Sequence, residues 1–413
     1  MLLVAAVLMP QAAWAQSMEE FFDDSVVHDI RLKLQSNDWA ALKKNYKENI
    51  YYGAELRWRG VTVSNVGIRS RGLGSRSEHK PGLRVDIDRF AADQTFLGLK
   101  SFVLDNLVQD PSMLRERLAM AFFRRLGLPA PREAHAQLFI NDTFVGVYAI
   151  VETIDKGFLA RSFGADSKGG TENDGYLFEY DYVKEYRFNY MGSNLDEYKI
   201  FNPKTHEKDA AAKIWGPIED MIQAVNETPD AIFNRDVSDY LDLSKFAAHL
   251  AIENFLAEDD GVLGYAGMNN FYVYRFEDSK KSQFLAWDKD NTFHSVDFPI
   301  MSRIGENVLA RRTLAEPQYK NAYLNTLLDA AGSAMEPDAE AAQGKNDRDK
   351  AALPGWLERE VRRQYEQIRT LALRDTFKPY SNDDFENSIQ GLLTFARERA
   401  NFVKDRVAEE RRR

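Results

Sequence analysis

The chain contains no cysteine. Disulfides, thiol catalysis and cysteine-ligated zinc are therefore excluded, and an export route that does not rely on disulfide staples fits better than a small cross-linked secreted domain. Histidine is scarce: there are six, scattered along the chain, and none falls in an HExxH or similar ligand spacing. A histidine-based zinc site is not expected, and His249, set in an apolar helical stretch, reads as a packing residue. Positive charge is not in excess. Lys and Arg total 54 against 64 Asp and Glu, a formal net charge of −10. That balance disfavours DNA or RNA as the main partner, because phosphate backbones are bound through a positive field. No strand-GxGxxG-helix unit occurs, which argues against a Rossmann sheet.

Long apolar runs are missing as well. The most apolar stretch is the N-terminal MLLVAAVLMPQAAWAQ, too short for a membrane span. Ala13-Trp14-Ala15 ahead of Gln16 forms a small-x-small pattern that reads as the end of a secretory signal peptide over residues 1–15, although the basic segment that opens such leaders is lacking. The expected protein is thus exported to the periplasm, the cell surface or the medium, with no stable membrane span in its mature form.

What is present suits a large enzyme domain. The 413 residues are 44% hydrophobic and 29% charged, enough for one two-lobed domain with a sizeable core. Strand patterns run through residues 26–34, 54–58, 66–71, 83–87 and 100–104. Ser36 is placed to cap a short helix after the first of these. Asp110-Pro111-Ser112 opens a helix over 113–126, which Gly127 stops. Residues 134–140 and 144–151 form a hairpin around Asn141-Asp142. A short helix follows at 158–163 and a strand at 175–180. Helices then dominate: 208–226, and 243–257 capped by Asp242. A small hairpin spans 270–276 and 283–287. The polar stretch 335–350 reads as a flexible insertion, and two amphipathic helices, about 355–374 and 383–410, close the chain. This order predicts an α+β protein: a β-rich N-terminal lobe over residues 16–155, a mainly helical C-terminal lobe over 156–413, and a cleft between them.

Three constellations carry chemistry. Arg69-Ser70-Arg71-Gly72-Leu73-Gly74-Ser75-Arg76 joins two strands, and such a loop can turn backbone N–H groups and guanidinium donors onto phosphate oxygens. Lys80, just before the next strand, could add a point charge. Glu258-Asp259-Asp260-Gly261, followed by Asn269-Asn270, places a carboxylate some ten residues ahead of a carboxamide, the logic of a phosphotransfer loop in which the acid orients the acceptor hydroxyl and the amide oxygen ligates magnesium. Trp287-Asp288-Lys289-Asp290-Asn291 ends the next strand with two acids placed to share a hard cation. Glu116 and Glu152 compete as the glutamate set against the phosphate-binding lysine.

The stretches VGIRSRGLGSRSEHKPGLRVDIDRF, LDNLVQDPSMLRERLAMAFFRRLGLPAPREAHAQLFINDTFVGVYAIVETID, DGYLFEYDY, DDGVLGYAGMNNFYVYRF and LAWDKDNTF resemble the spore coat protein H (CotH) kinase family. The resemblance implies an atypical protein-kinase-like two-lobed fold, ATP with Mg2+ or Mn2+, and phosphate transfer to Ser or Thr of secreted or surface proteins. It implies Asp260 as the catalytic aspartate, with Asp259 as the one-residue alternative. Asp288 and Asn270 become the metal ligands. Arg71, Gly72, Ser75 and Lys80 become the phosphate-binding set, joined by Glu152. Leu73-Gly74-Ser75 departs from the asparagine-serine pair common in the family. Two other readings use the same pocket differently: nucleotidyl transfer to protein, and a nucleotide-binding surface or assembly protein without phosphotransfer.

Overall fold

A computed structural model of the chain describes residues 16–164 and 173–412; the expected leader, residues 1–15, lies outside them. The N-terminal lobe is a closed barrel in the order β1-β2-β3-β4-β5-β7-β6. Its strands are β1 (His28–Lys33), β2 (Tyr52–Trp58), β3 (Val61–Ser70), β4 (Leu83–Asp86), β5 (Ser101–Asp105), β6 (Glu133–Ile140) and β7 (Thr143–Glu152). Every neighbouring pair is antiparallel except β1 and β6, whose parallel pairing from His28↔Ala136 to Leu32↔Ile140 closes the barrel. Closure removes the free sheet edges that would otherwise invite aggregation.

Alternation drives this lobe. Ile30 and Leu32 of β1, with Ala54, Leu56 and Trp58 of β2, point into the barrel and are buried. Phe21, from the short Met18–Phe21 helix capped by Ser17, fills the interior. Its ring centroid lies 4.9 Å from that of Phe96, 5.0 Å from Phe102 and 5.3 Å from Trp58, edge-on contacts that aromatic quadrupoles favour. The β6–β7 turn is the expected one: Asn141 (φ 48°) and Asp142 (φ 64°) supply the two left-handed positions of a tight hairpin.

The long helix of this lobe runs Arg115–Arg125 rather than from residue 113. Met113 sits at φ 60°, outside helical space. The Asp110 carboxylate accepts the N–H groups of Ser112, Leu114 and Arg115, each at 2.8 Å, so the start is held by Asp110 and Pro111 lies in the turn before it. Gly127, at φ 79°, ends the helix as expected.

The C-terminal lobe carries an antiparallel four-stranded sheet, order β11-β10-β8-β9: β8 (Tyr176–Tyr180), β9 (Phe201–Pro203), β10 (Phe271–Arg275) and β11 (Ser282–Ala286). Helix Leu243–Phe255, capped by Asp242, packs on Pro317–Met335, which in turn packs on Asn382–Glu410. Arg399, wholly buried, donates to the carbonyls of Asn254 (2.6 Å) and Phe255 (2.9 Å), tying the last helix to the open end of Leu243–Phe255.

Four local expectations change. Ser36 is the first helical residue of Ser36–Lys44, and Gln35 occupies the cap position without a side-chain hydrogen bond. The helix expected over 208–226 divides at Trp215 into Ala211–Ile214 and Gly216–Glu227, with Pro217 opening the second. The stretch expected to be an unstructured insertion contains the short helices Ala339–Ala342 and Asp347–Ala351, and none of residues 335–350 is buried. Helices Val308–Ala315 and Pro317–Met335 were not expected at all. Among the described residues, no helix is long and apolar enough to cross a membrane.

Candidate functional site

A cavity of about 920 Å³ lies between the lobes, walled by β3 and β4 on the barrel side and by β8, β10 and the end of β11 on the other. A recess of about 310 Å³ adjoins it, lined by Gly74, Ser75, Asp260, Asn270, Asp288 and Asp290 among others.

The barrel supplies cations. Arg69 and Arg84 are register partners on β3 and β4, and both line the cavity with Arg71, Arg76 and Arg89. Arg71 extends the β3–β4 ladder by one step, its N–H donating to the Gly82 carbonyl at 2.9 Å. Its guanidinium reaches Asp105 at 3.2 Å and stands 5.7 Å from the Trp287 ring centroid. Burial would weaken that cation, but the neighbouring carboxylates of Asp105, Asp288 and Glu116 outweigh it and raise the Arg71 pKa. Gly72 follows at φ 102°, and a Cβ there would come within 2.3 Å of Ser75 Oγ. The turn therefore demands glycine. Arg76 pins it, donating to the Gly72 carbonyl at 2.7 Å.

The opposite wall supplies oxygen ligands. Beyond helix Leu243–Phe255 the chain folds into a compact loop: the Asp260 N–H donates to Glu258 at 2.7 Å, and the Val262 N–H donates to Glu253 at 3.1 Å. The Asp260 carboxylate accepts from Asn269 at 3.1 Å and from Asn270 at 3.2 Å. Burial raises the Asp260 pKa, against those two amide hydrogen bonds. Asp259 is paired with Arg303 and lines neither cavity. Asn270 (φ 57°) and Asp288 (φ 51°) both hold left-handed backbone, which their short polar side chains tolerate. Burial raises the Asp288 carboxyl to about 6; Arg71 and Lys289 oppose this, while Asp105 and Asp260 add to it.

Lys289 holds this wall together from behind. Its fully buried ammonium donates to the Asn270 carbonyl at 2.8 Å and to Glu253 at 2.7 Å. His249, expected as a packing residue, is buried and sits 3.1 Å from the same Glu253 carboxylate.

The structure thus brings together Arg71, Gly72, Ser75, Asp260, Asn270 and Asp288. It does not bring Lys80 or Glu152 to them. Lys80 is buried, with its ammonium 2.8 Å from Asp375, and neither side chain meets solvent. Glu152 is buried at the end of β7 and is gripped by Arg132 (2.8 Å) and Arg161 (2.7 Å). Glu116 is the glutamate nearer the site: burial, then Glu133 and Asp288, hold its carboxyl well above the ordinary range. Asp105, Arg84 and the Lys289–Glu253 pair were missed from sequence. Only the position of Asp105 at a strand end, in the row that carries Arg71, could have flagged it.

A hard divalent cation fits these donors. Carboxylate and carboxamide oxygens suit Mg2+ or Mn2+ rather than soft metals. Burial is the main cause of the raised Asp288 pKa, and the Asp105 and Asp260 carboxylates add a share that a bound cation would offset. Among the described residues, no three His, Cys, Asp or Glu side chains form a ready-made cage. Mg2+ does not require one, since it binds through one or two carboxylates completed by phosphate oxygens and water.

Residues 68–403 match the family model described as CotH kinase protein. The inner spore coat protein H of Bacillus subtilis (strain 168) is 24% identical over 353 residues, which are 83% of this chain and 88% of that one. Invasin CotH3 of Rhizopus delemar is 28% identical over 292 residues, 69% of this chain and 47% of the invasin, so the chain spans about half that relative's length. The crystal structure of a Helicobacter pylori proinflammatory kinase, CtkA, aligns at a TM-score of 0.30 with 12% identity, covering 77% of this chain and 94% of that one.

Proposed function

The chain belongs to the CotH kinase family, and from that premise we propose that it transfers the γ-phosphoryl group of ATP to serine or threonine hydroxyls of proteins. The observation that carries this reading is the convergence of Asp260, Asn270 and Asp288 in one recess beneath Ser75 and the glycine-rich loop. Catalytic acid, amide and metal-binding acid on a loop–hairpin–loop segment, facing a glycine-rich turn, are the parts a phosphoryl transfer needs. The cluster of Arg69, Arg71, Arg76, Arg84 and Arg89 in the same cavity supports a polyphosphate substrate, the more so in a chain of net charge −10.

In this reading Asp260, oriented by Asn269 and Asn270, accepts the proton of the attacking hydroxyl. Arg71 neutralises phosphate oxygens, and the turn at Gly72 lets the backbone approach them. Asn270 and Asp288 would hold the divalent cation, which when bound neutralises charge on the phosphates in flight. The acceptor is taken to meet the enzyme outside the cytoplasm, on the strength of the leader-like residues 1–15.

The test pairs binding with transfer. Residues 16–413 are melted with ATP, with and without Mg2+ or Mn2+, then incubated with γ-labelled or α-labelled ATP and candidate acceptors. Wild type should show a metal-dependent rise in Tm and transfer of γ label, both lost in Asp288→Ala. Transfer of α label instead would mean nucleotidyl transfer. Binding without either label moving would mean a nucleotide-binding protein without phosphotransfer.

A further inference from the structure

Asp375 lies in the short connection between helices Trp356–Arg374 and Asn382–Glu410. Its carboxylate enters the barrel lobe. Oδ2 accepts the Lys80 ammonium at 2.8 Å and the Val147 N–H at 3.0 Å, and Oδ1 accepts the Phe377 N–H at 2.9 Å. β7 makes room for it: Gly146 sits at φ 130°, and a Cβ there would lie 2.5 Å from Oδ2. Tyr380, in the same connection, donates to the Leu107 carbonyl at 2.9 Å.

The contact continues toward the cleft. Lys80 ends the loop that begins at Arg71. Its carbonyl accepts from Asn106 Nδ2 at 2.7 Å, and the same nitrogen donates to the Ser75 carbonyl at 2.9 Å. The Lys80 N–H donates to Ser77 Oγ at 3.1 Å. At the tip Leu73 is 84% exposed, and the middle of the loop is tied down by Arg76, which donates to the Tyr46 carbonyl at 3.0 Å and to Asn49 Oδ1 at 2.6 Å. The strand side is fixed at Arg71, and the far stretch from Ser75 to Lys80 is fixed by Asn106 and Lys80.

We propose that Asp375 and Lys80 are positioning residues, a clamp through which the C-terminal helices set the glycine-rich loop over the cleft, with Asn106 as the relay to Ser75. The consequence for nucleotide affinity rests on the phosphotransfer reading; the clamp itself does not. A lysine wholly removed from water needs its partner, and here that partner is 295 residues away in sequence. Displacing the C-terminal connection therefore releases one end of the loop.

The test uses Lys80→Met/Asp375→Asn, which removes both buried charges together and keeps an oxygen for the Val147 N–H, beside Asn106→Ala, which cuts the relay and leaves the ion pair intact. Hydrogen exchange is read on peptides covering residues 71–80 and, as a fold control, 243–255. MgATP affinity is read by calorimetry. In both variants exchange at 71–80 should rise by about tenfold or more while 243–255 stays protected, and MgATP should bind about tenfold more weakly. Wild-type exchange at 71–80 in either folded variant overturns the clamp. If the double variant unfolds, as loss of protection at 243–255 would reveal, Asn106→Ala decides alone. If wild type fails to bind MgATP, the nucleotide reading falls, and the exchange measurements still decide the clamp.

Discussion

Lys289 and Glu253 meet at 2.7 Å behind the recess, each side chain almost wholly removed from solvent. The pair joins the end of β11 to helix Leu243–Phe255, and Lys289 also holds the Asn270 carbonyl. Removing one partner of a buried pair strands the other charge. Lys289→Met should therefore cost about 3–5 kcal/mol of stability by denaturant titration, with Lys289→Met/Glu253→Gln recovering part of it. The acid limb gives a second readout. Despite burial, Lys289 and His249 depress Glu253 to about 2 from its ordinary 4.5. A depressed carboxylate stabilises the fold above its unfolded pKa, and that stability is lost as pH falls from about 4.5 toward 2. In Lys289→Met the pKa depression shrinks, and the acid loss should be correspondingly smaller over that window.

Asp260 and Asp259 are adjacent but face different groups. Asp260 accepts from two asparagine amides at the recess, whereas Asp259 is paired with Arg303. Asp260→Asn should lower kcat by about 10²- to 10⁴-fold while leaving Tm and MgATP affinity close to wild type. Asp259→Asn should keep its turnover. Equal losses in both variants would remove Asp260 from the proton-accepting role.

The parts of the site that were legible in sequence lie close together along the chain. Asp260, Asn270 and Asp288 are joined by a loop and one hairpin, so their spacing alone carries their relation. Lys80 stands apart from that group for the opposite reason. A lysine beside a glycine-rich loop looks like a phosphate ligand until Asp375 is seen to take its ammonium, and that partner is 295 residues distant. The α+β division of the chain and most strands followed from alternation. Closure of the barrel did not, because the parallel β1–β6 pairing joins strands far apart in sequence. Helix Pro317–Met335 was hidden by its own core: Ala330, Ala331 and Ala334 are buried alongside Leu324 and Leu327, and small buried residues blur the apolar stripe that periodicity depends on.

Metal affinity should depend on pH through Asp288. A cation takes the deprotonated carboxylate, and in the metal-free protein that carboxyl is raised to about 6. Mn2+ affinity, followed by paramagnetic relaxation, should rise by about tenfold per pH unit below that value and flatten above it. Asp288→Asn should bind more weakly and lose this slope. A flat wild-type profile between pH 5 and 7 would mean that Asp288 is not a ligand.

Glu133 opens β6 with both carboxylate oxygens buried and without a hydrogen-bond partner. Burial, opposed by Arg124 and reinforced by Asp105, raises its pKa to about 8 from its ordinary 4.5. The native state then retains a proton that the unfolded chain has released. Stability must fall as pH rises from about 4.5 to about 8, by about 1.4 kcal/mol per pH unit for this one group. Glu133→Gln keeps the shape and carries no titratable proton. Its Tm should match wild type near pH 5 and exceed it near pH 8. Glu258 and Glu116 are also raised by burial, so the variant should lose one proton's share of the slope and keep the rest. An unchanged slope in Glu133→Gln would remove Glu133 from the effect and leave it to the other raised carboxyls, Glu258, Glu116, Asp288 and Asp290 among them, each separable by its own amide variant in the same melts.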